Sequence, residues 1–259
     1  MHYQNIAYDV RDGAGVLTIE REHKLNAIST ATYHEMEHCL SVMEHDDAVA
    51  VGVLTGKGRA FVAGADIEEY VDKSLADFAA FQKLGRVVHD HIEQHPKPII
   101  AAVNGYALGG GFELALACDL VVASADARFG LPEAKLALLP GGGGTQRLPR
   151  LIGRNRAKQM IMTSELVDAA EAHRLGIVAM VAPAGEAVSA ALSLAETLRQ
   201  RGPLAVRMAK RVINEGLDAP LSLALSYEQT ATAALFATRD KDEGIAAFLE
   251  KRPAHFRGQ

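Results

Sequence analysis

The sequence predicts an α/β protein that ends in a helical part. Apolar, β-branched runs such as AVAVGVLTG (48–56), PIIAAVNG (98–105) and DLVVAS (119–124) read as strands buried on both faces. Short loops and helical stretches alternate with them, which is the pattern of a largely parallel sheet covered by helices. Beyond about residue 183 the strands give way to segments with helical periodicity: EAVSAALSLAETLRQR, PLAVRMAKRVINEG, LSLALSYEQTATAALFA and DKDEGIAAFLEKR.

Taken in order, residues 5–20 alternate around DGAG, the signature of a hairpin. Ser29 or Thr30 caps a helix that runs to about residue 45. The strand at 48–56 leads into a loop, KGRAFVAGAD, and then into the helix LADFAAFQKLGRVVHDHIEQH, which Pro96 and Pro98 stop. After PIIAAVNG comes the helical ALGGGFELALAC and then DLVVAS. Gly202–Pro203 and Ala219–Pro220 separate the C-terminal helices. We therefore divide the chain into an α/β body, residues 1–200, and a helical region, residues 201–259. A strand–strand–helix recurrence is visible but too weak to count as a sequence repeat.

At 259 residues and 49% hydrophobic the chain buries a large core. A net charge of -5 with charges of both signs intermixed provides no basic stripe, so nucleic acid is not an expected partner. No apolar run reaches the roughly 18–20 residues of a membrane span. The N-terminus lacks the basic and apolar regions of a secretory signal, and the expectation is a soluble cytoplasmic protein. Cys39 and Cys118 lie far apart and both read as buried thiols.

Several motifs compete for attention. HEMEH (34–38) fits the H-E-x-x-H zinc pattern. However, Tyr33, Met36, Leu40 and Met43 mark the apolar stripe of that helix, and His34 and His38 fall nearly opposite it. Ser41 and Glu44 also stand where a metzincin needs Gly and His. No metal is expected. His89, His91 and His95 lie on a polar helix end and are expected to be exposed. Neither a P-loop nor G-x-G-x-x-G is completed, and no G-x-S-x-G is present.

Three loops remain: FVAGAD (61–66), NGYALGGGFE (104–113) and FGLPEAKLALLPGGGGTQRL (129–148). Loops at the carboxyl edge of a parallel sheet gather where ligands bind. Glycines let a reacting group approach main-chain N–H donors, and a helix start adds unpaired ones. Two such loops can present two N–H groups to one oxygen, the layout of an oxyanion hole. Glu113 opens the following helix, and Glu133 lies 20 residues on. Taken alone, Glu113 is an ordinary first-turn acid and Glu133 an exposed loop carboxylate. Together with the glycine loops they suit proton transfer at carbons beside a carbonyl.

AFVAGADI, NGYALGGGFELALACDLVVAS, ARFGLPEAKLALLPGGGGTQRLPRLIG and ATRDKDEGIAAFLEKRPAHFRG make the chain resemble the enoyl-CoA hydratase/isomerase (crotonase) family over essentially its whole length. The resemblance implies a spiral of ββα units with C-terminal helices that build trimers, usually paired into hexamers. It implies an acyl-CoA thioester as substrate and no cofactor beyond the coenzyme A that the substrate carries. Ala65 and Gly110 would supply the two backbone N–H groups of the oxyanion hole. Glu113 would activate water for addition at the β-carbon of a trans-2-enoyl-CoA, and Glu133 would protonate the α-carbon. Ala63, Ala65, Asp66, Ile67, Glu68 and Gly110 would line the path of the coenzyme A arm, with Lys24, Leu25 and Lys251 as further contacts. Phe112 and Leu131 occupy variable positions and would shape the acyl pocket. Family isomerases often keep a glutamate only at the Glu133 position. Retention of both glutamates favours hydration; isomerisation or a specialised dehydration on the same scaffold is the alternative.

Overall fold

A computed structural model describes residues 3–259. The chain begins with the expected hairpin, β1 (Ile6–Arg11) antiparallel to β2 (Ala14–Ile19). Its two-residue turn places Asp12 and Gly13 at φ 48° and 80°, the left-handed geometry that Asp-Gly supplies. Helix α1 (Thr30–His45) follows, with the Ser29 side chain accepting from the Thr32 N–H. Then come β3 (Val51–Gly56), β4 (Ala60–Val62) and α2 (Leu75–Gln94), the last opened by a Ser74–Asp77 capping box.

The next two units repeat that order: β5 (Ile99–Val103), β6 (Tyr106–Leu108) and α3 (Gly110–Ala117), then β7 (Leu120–Ser124), β8 (Arg128–Gly130) and α4 (Gly144–Ile152). The chain continues through α5 (Arg154–Thr163), β9 (Val167–Asp168), α6 (Ala169–Arg174), β10 (Met180–Ala182) and α7 (Ala187–Arg199). It ends with α8 (Pro203–Leu217), α9 (Leu221–Phe236) and α10 (Arg239–Glu250).

In each ββα unit the first strand joins one sheet and the second joins another. The larger sheet runs β1-β2-β3-β5-β7-β10 and the smaller β4-β6-β8-β9. β3, β5 and β7 pair in parallel, as do β4, β6 and β8. This is the ββα spiral that the resemblance implied. One face of the larger sheet packs with α1, α2 and α3 in the main core, through Leu17, Met36, Leu54, Ile92 and Leu114 among others. Its other face is covered by α7, where Val16, Val53, Ile100 and Val122 meet Ala191 and Ala195. Burial on both faces accounts for the uninterrupted apolar character of β3 and β5.

Three sequence expectations are corrected. The stretch read as the loop KGRAFVAGAD contains β4, and short strands β6 and β8 were likewise missed, because three residues are too few for an alternating pattern to register. His89 and His95 are buried, not exposed. Nδ1 of His89 bonds the Gly85 carbonyl at 2.6 Å, and the His95 ring bonds the carbonyls of Lys97 and Leu40. Carbonyls partner both ring nitrogens of His95 but only Nδ1 of His89, whose Nε2 is buried without a partner, and no periodicity count could reveal this. Cys39 is buried as expected, whereas Cys118 is half-buried; both are free thiols. His34 and His38 do point to solvent, and the Glu35 carboxylate accepts the backbone N–H groups of Gln4 and Asn5. No helix among the described residues is long and apolar enough to cross a membrane.

Candidate active site

The three glycine-bearing loops leave the carboxyl ends of β4, β6 and β8, neighbouring parallel strands of the smaller sheet. That adjacency brings Ala63, Gly64 and Ala65, then Gly109, Gly110 and Glu113, and parts of the loop 132–142 around one cavity of about 150 Å³. Its walls include Ala63, Ala65, Gly110, Glu113 and Glu133, with Tyr33, Tyr70, Phe78, Phe81 and Gln82 opposite and Leu136, Leu138 and Leu139 along the third loop.

The backbone around Ala65 is set by the segment HKLNAIS. Asn26 is fully buried; its amide donates to the carbonyls of Lys57 and Ala60 and its oxygen accepts the Arg21 N–H. This anchors residues 25–28 alongside 63–66. Ala63 N–H donates to Leu25, Ile28 N–H to Gly64, and Asp66 N–H to Ile28. In this parallel bridge the partners of Ile28 are Gly64 and Asp66, so the N–H of Ala65 itself faces away from the ladder. The N–H of Gly110, first residue of α3, is one of the unpaired donors at a helix start. Neither N–H has a backbone acceptor among the described residues. A Cβ built on Gly110 would stand 4.0 Å from Ala65 N, so both donors border the same small volume.

Glycine is required on either side of Gly110. Gly109 adopts φ 51°, ψ -128°, and a Cβ there would approach Glu133 Oε1 to 3.1 Å. A Cβ on Gly111 would lie 2.1 Å from the Val62 carbonyl oxygen, which is how closely α3 rides over β4.

Glu113 is buried, and its Oε1 accepts the N–H groups of Gly142 and Gly144 at 2.8 and 2.7 Å. Burial raises its pKa; these N–H donors and the nearby Arg147 oppose the rise without cancelling it. Glu133 follows β8 and Pro132 in a short 3-10 turn, and its Oε2 is buried without a hydrogen-bond partner. Burial pushes its pKa up to about 7, its own N–H restrains the shift, and the charge of Glu113 adds to it. Two carboxyls of unequal character therefore border one cavity beside two free N–H donors. One is held as an acceptor by main chain, and the other keeps its proton readily. Such a set activates a water, accepts charge on a carbonyl oxygen and delivers a proton.

The enoyl-CoA hydratase/isomerase family model matches residues 9–259. The chain belongs to this family. It is 42% identical to the crotonyl-CoA hydratase of Syntrophomonas wolfei over 99% of both chains. It is 41% identical to the short-chain-enoyl-CoA hydratase of Clostridium acetobutylicum over 97% of both. The crystal structure of an enoyl-CoA hydratase from Bacillus anthracis superposes with a TM-score of 0.96 at 40% identity, covering 99% of this chain and all of that one.

Seen as a family site, the remaining expected residues divide. Ala63, Ala65 and Ile67 line the cavity, whereas Lys24, Leu25, Asp66 and Glu68 do not; Lys24 Nζ reaches Glu68 at 2.6 Å and Asp66 at 3.3 Å. Burial alone would raise Asp66, but Arg21 and Lys24 outweigh it and hold its carboxyl below the usual range. Lys251 is exposed at the end of α10 and lies outside the cavity lining of its own chain. Phe112 and Leu131 do not line the cavity. Both are fully buried, Phe112 with its ring edge-on to Phe129, so they face the core instead of the acyl site. Sequence position beside Glu113 misled here: on a helix, the residue next to an inward-facing one points about 100° away. The walls come from α1 and α2, through Tyr33, Phe81 and Gln82. The only sequence trace was the assignment of Tyr33 to the apolar stripe of α1.

Proposed function

We propose that this chain is an enoyl-CoA hydratase, a hydro-lyase that adds water reversibly and syn to trans-2-enoyl-CoA to give 3-hydroxyacyl-CoA. One observation carries the reading: Glu113, fixed by two main-chain N–H groups, and Glu133, with its raised pKa, border the same cavity as the free N–H groups of Ala65 and Gly110. The thioester carbonyl accepts both N–H groups, which polarises the conjugated double bond. Glu113 takes a proton from water as its oxygen bonds to the β-carbon, and the electron pair moves onto the thioester oxygen. Glu133 then gives its proton to the α-carbon as the carbonyl re-forms. The reverse steps dehydrate the product. The thioester is the substrate's own activation, so the proposed chemistry uses no cofactor beyond the coenzyme A of the substrate.

The cavity volume of about 150 Å³, under the ~300–1,000 Å³ of larger ligand pockets, supports short acyl chains. We read the protein as a cytoplasmic homo-oligomer, a trimer or a pair of trimers, joined through residues 201–259. Leu217, Leu221, Leu223, Phe236, Phe248 and Leu249 support that, being large apolar side chains left exposed on α8, α9 and α10. The test follows loss of the conjugated-thioester absorbance with enoyl-CoA substrates from four carbons to long chains, branched forms included. Rapid hydration of crotonyl-CoA is expected, and no turnover at any length refutes the assignment. Turnover that survives Glu113→Gln and vanishes in Glu133→Gln would mark an isomerase instead.

A further inference from the structure

Tyr33 is a residue of the main core, 4% exposed, yet its ring borders the catalytic cavity. Its ring packs on Phe81 (centroids 5.4 Å apart) and lies near the His89 ring (6.2 Å). No protein group among the described residues hydrogen-bonds the hydroxyl, and it is not one of the fully buried unpartnered oxygens, so it opens onto the cavity. It points into the space in front of Gly110: a Cβ placed there would meet Tyr33 Oη at 3.8 Å and Ala65 N at 4.0 Å, with nothing nearer. Helix α2 makes room for it. A Cβ at Gly85 would lie 3.2 Å from Cε2, Cζ and Oη of Tyr33, so glycine in a helix interior, normally unfavourable by about 1 kcal/mol, leaves the phenol its seat.

We propose that the Tyr33 hydroxyl is a third hydrogen-bond donor to the reacting acyl group, acting with the N–H groups of Ala65 and Gly110 on the oxygen that becomes negative as water adds. Burial and the nearby charge of Glu113 both raise the phenol's pKa, which keeps it a neutral O–H donor throughout the working range. No proton leaves Tyr33; the hydrogen bond strengthens as charge moves onto the thioester oxygen and relaxes when Glu133 protonates the α-carbon. Such a donor favours the transition state over the bound substrate. This inference rests on the hydratase reading, and the experiment separates the two.

Tyr33→Phe removes only an oxygen that has no protein partner, so the fold and its melting temperature should be unaffected. On crotonyl-CoA we expect kcat to fall about 10- to 100-fold with KM within about twofold. Binding of butyryl-CoA, which cannot form the charged species, should be unchanged. Binding of acetoacetyl-CoA as its enolate should weaken by a factor similar to the loss in kcat. Unchanged kcat, or butyryl-CoA binding weakened as much as turnover, would overturn the proposal. A wild-type protein inactive on every enoyl-CoA would refute the functional reading instead, and the acetoacetyl-CoA comparison would still decide the role of Tyr33.

Discussion

Glu113 Oε1 accepts the Gly144 N–H at 2.7 Å, and with the Gly142 N–H at 2.8 Å this occupies one carboxylate oxygen entirely with main chain. Oε2 is left as the basic atom. Glu113→Gln can keep the amide oxygen on both N–H groups while removing the base. The expected result is a folded protein whose hydration rate falls by at least ~10²-fold, seen in crotonyl-CoA turnover alongside an unchanged circular dichroism spectrum.

Glu133 links catalysis to pH. Hydration needs Glu113 ionised and Glu133 protonated, so kcat/KM should be bell-shaped. It should fall at low pH as Glu113 gains a proton and above about 7 as Glu133 loses its own. The two apparent values belong to the coupled pair. Dehydration starts with the same single proton on Glu113 instead of Glu133, and hydration takes up no proton overall, so kcat/KM in that direction should follow the same bell.

The same shift appears in stability. A carboxyl raised from 4.5 to about 7 favours the folded state fully below 4.5, and that contribution is lost as pH climbs through about 7. Glu133→Gln has no such charge to bury. Relative to wild type it should gain about 1–3 kcal/mol between pH 5 and pH 8, read from denaturant midpoints at the two pH values. A constant difference across that window would contradict the burial of this carboxyl.

Gly110 and Gly111 are neighbours with opposite tolerances. Gly110→Ala places its methyl in open space between the donors, so stability should change by less than about 1 kcal/mol while activity falls by ~10²-fold or more. Gly111→Ala drives a methyl against the Val62 carbonyl and should cost about 1–3 kcal/mol. Thermal melts and turnover of the two variants, measured together, separate a blocked site from a strained fold.

Arg147 steadies the loop that holds Glu113. It donates to the Gly142 carbonyl at 2.8 Å and ion-pairs with Glu93. Its charge also lowers the Glu113 pKa. Arg147→Gln should therefore move the acidic limb of the rate profile to higher pH, so that activity falls more at pH 6 than at pH 8. An equal loss at both would leave only the loop tether as its role.

The sequence by itself determined the strand–helix alternation, the hairpin at Asp12–Gly13, a helix start at Ser29 or Thr30 and the loops with Ala65, Gly110, Glu113 and Glu133. These are local matters of periodicity, capping and glycine conformation, and a family motif is a string of adjacent residues. Only the tertiary structure decided that those loops leave adjacent strands β4, β6 and β8, since three-residue strands owe their existence to pairing partners far along the chain. It also decided the opposite wall. Phe112 turns into the core while Tyr33, from a helix nearly eighty residues earlier, faces the cavity. Which side of a helix meets a ligand depends on what the rest of the chain packs against it, and no stretch of sequence around Glu113 contains that information.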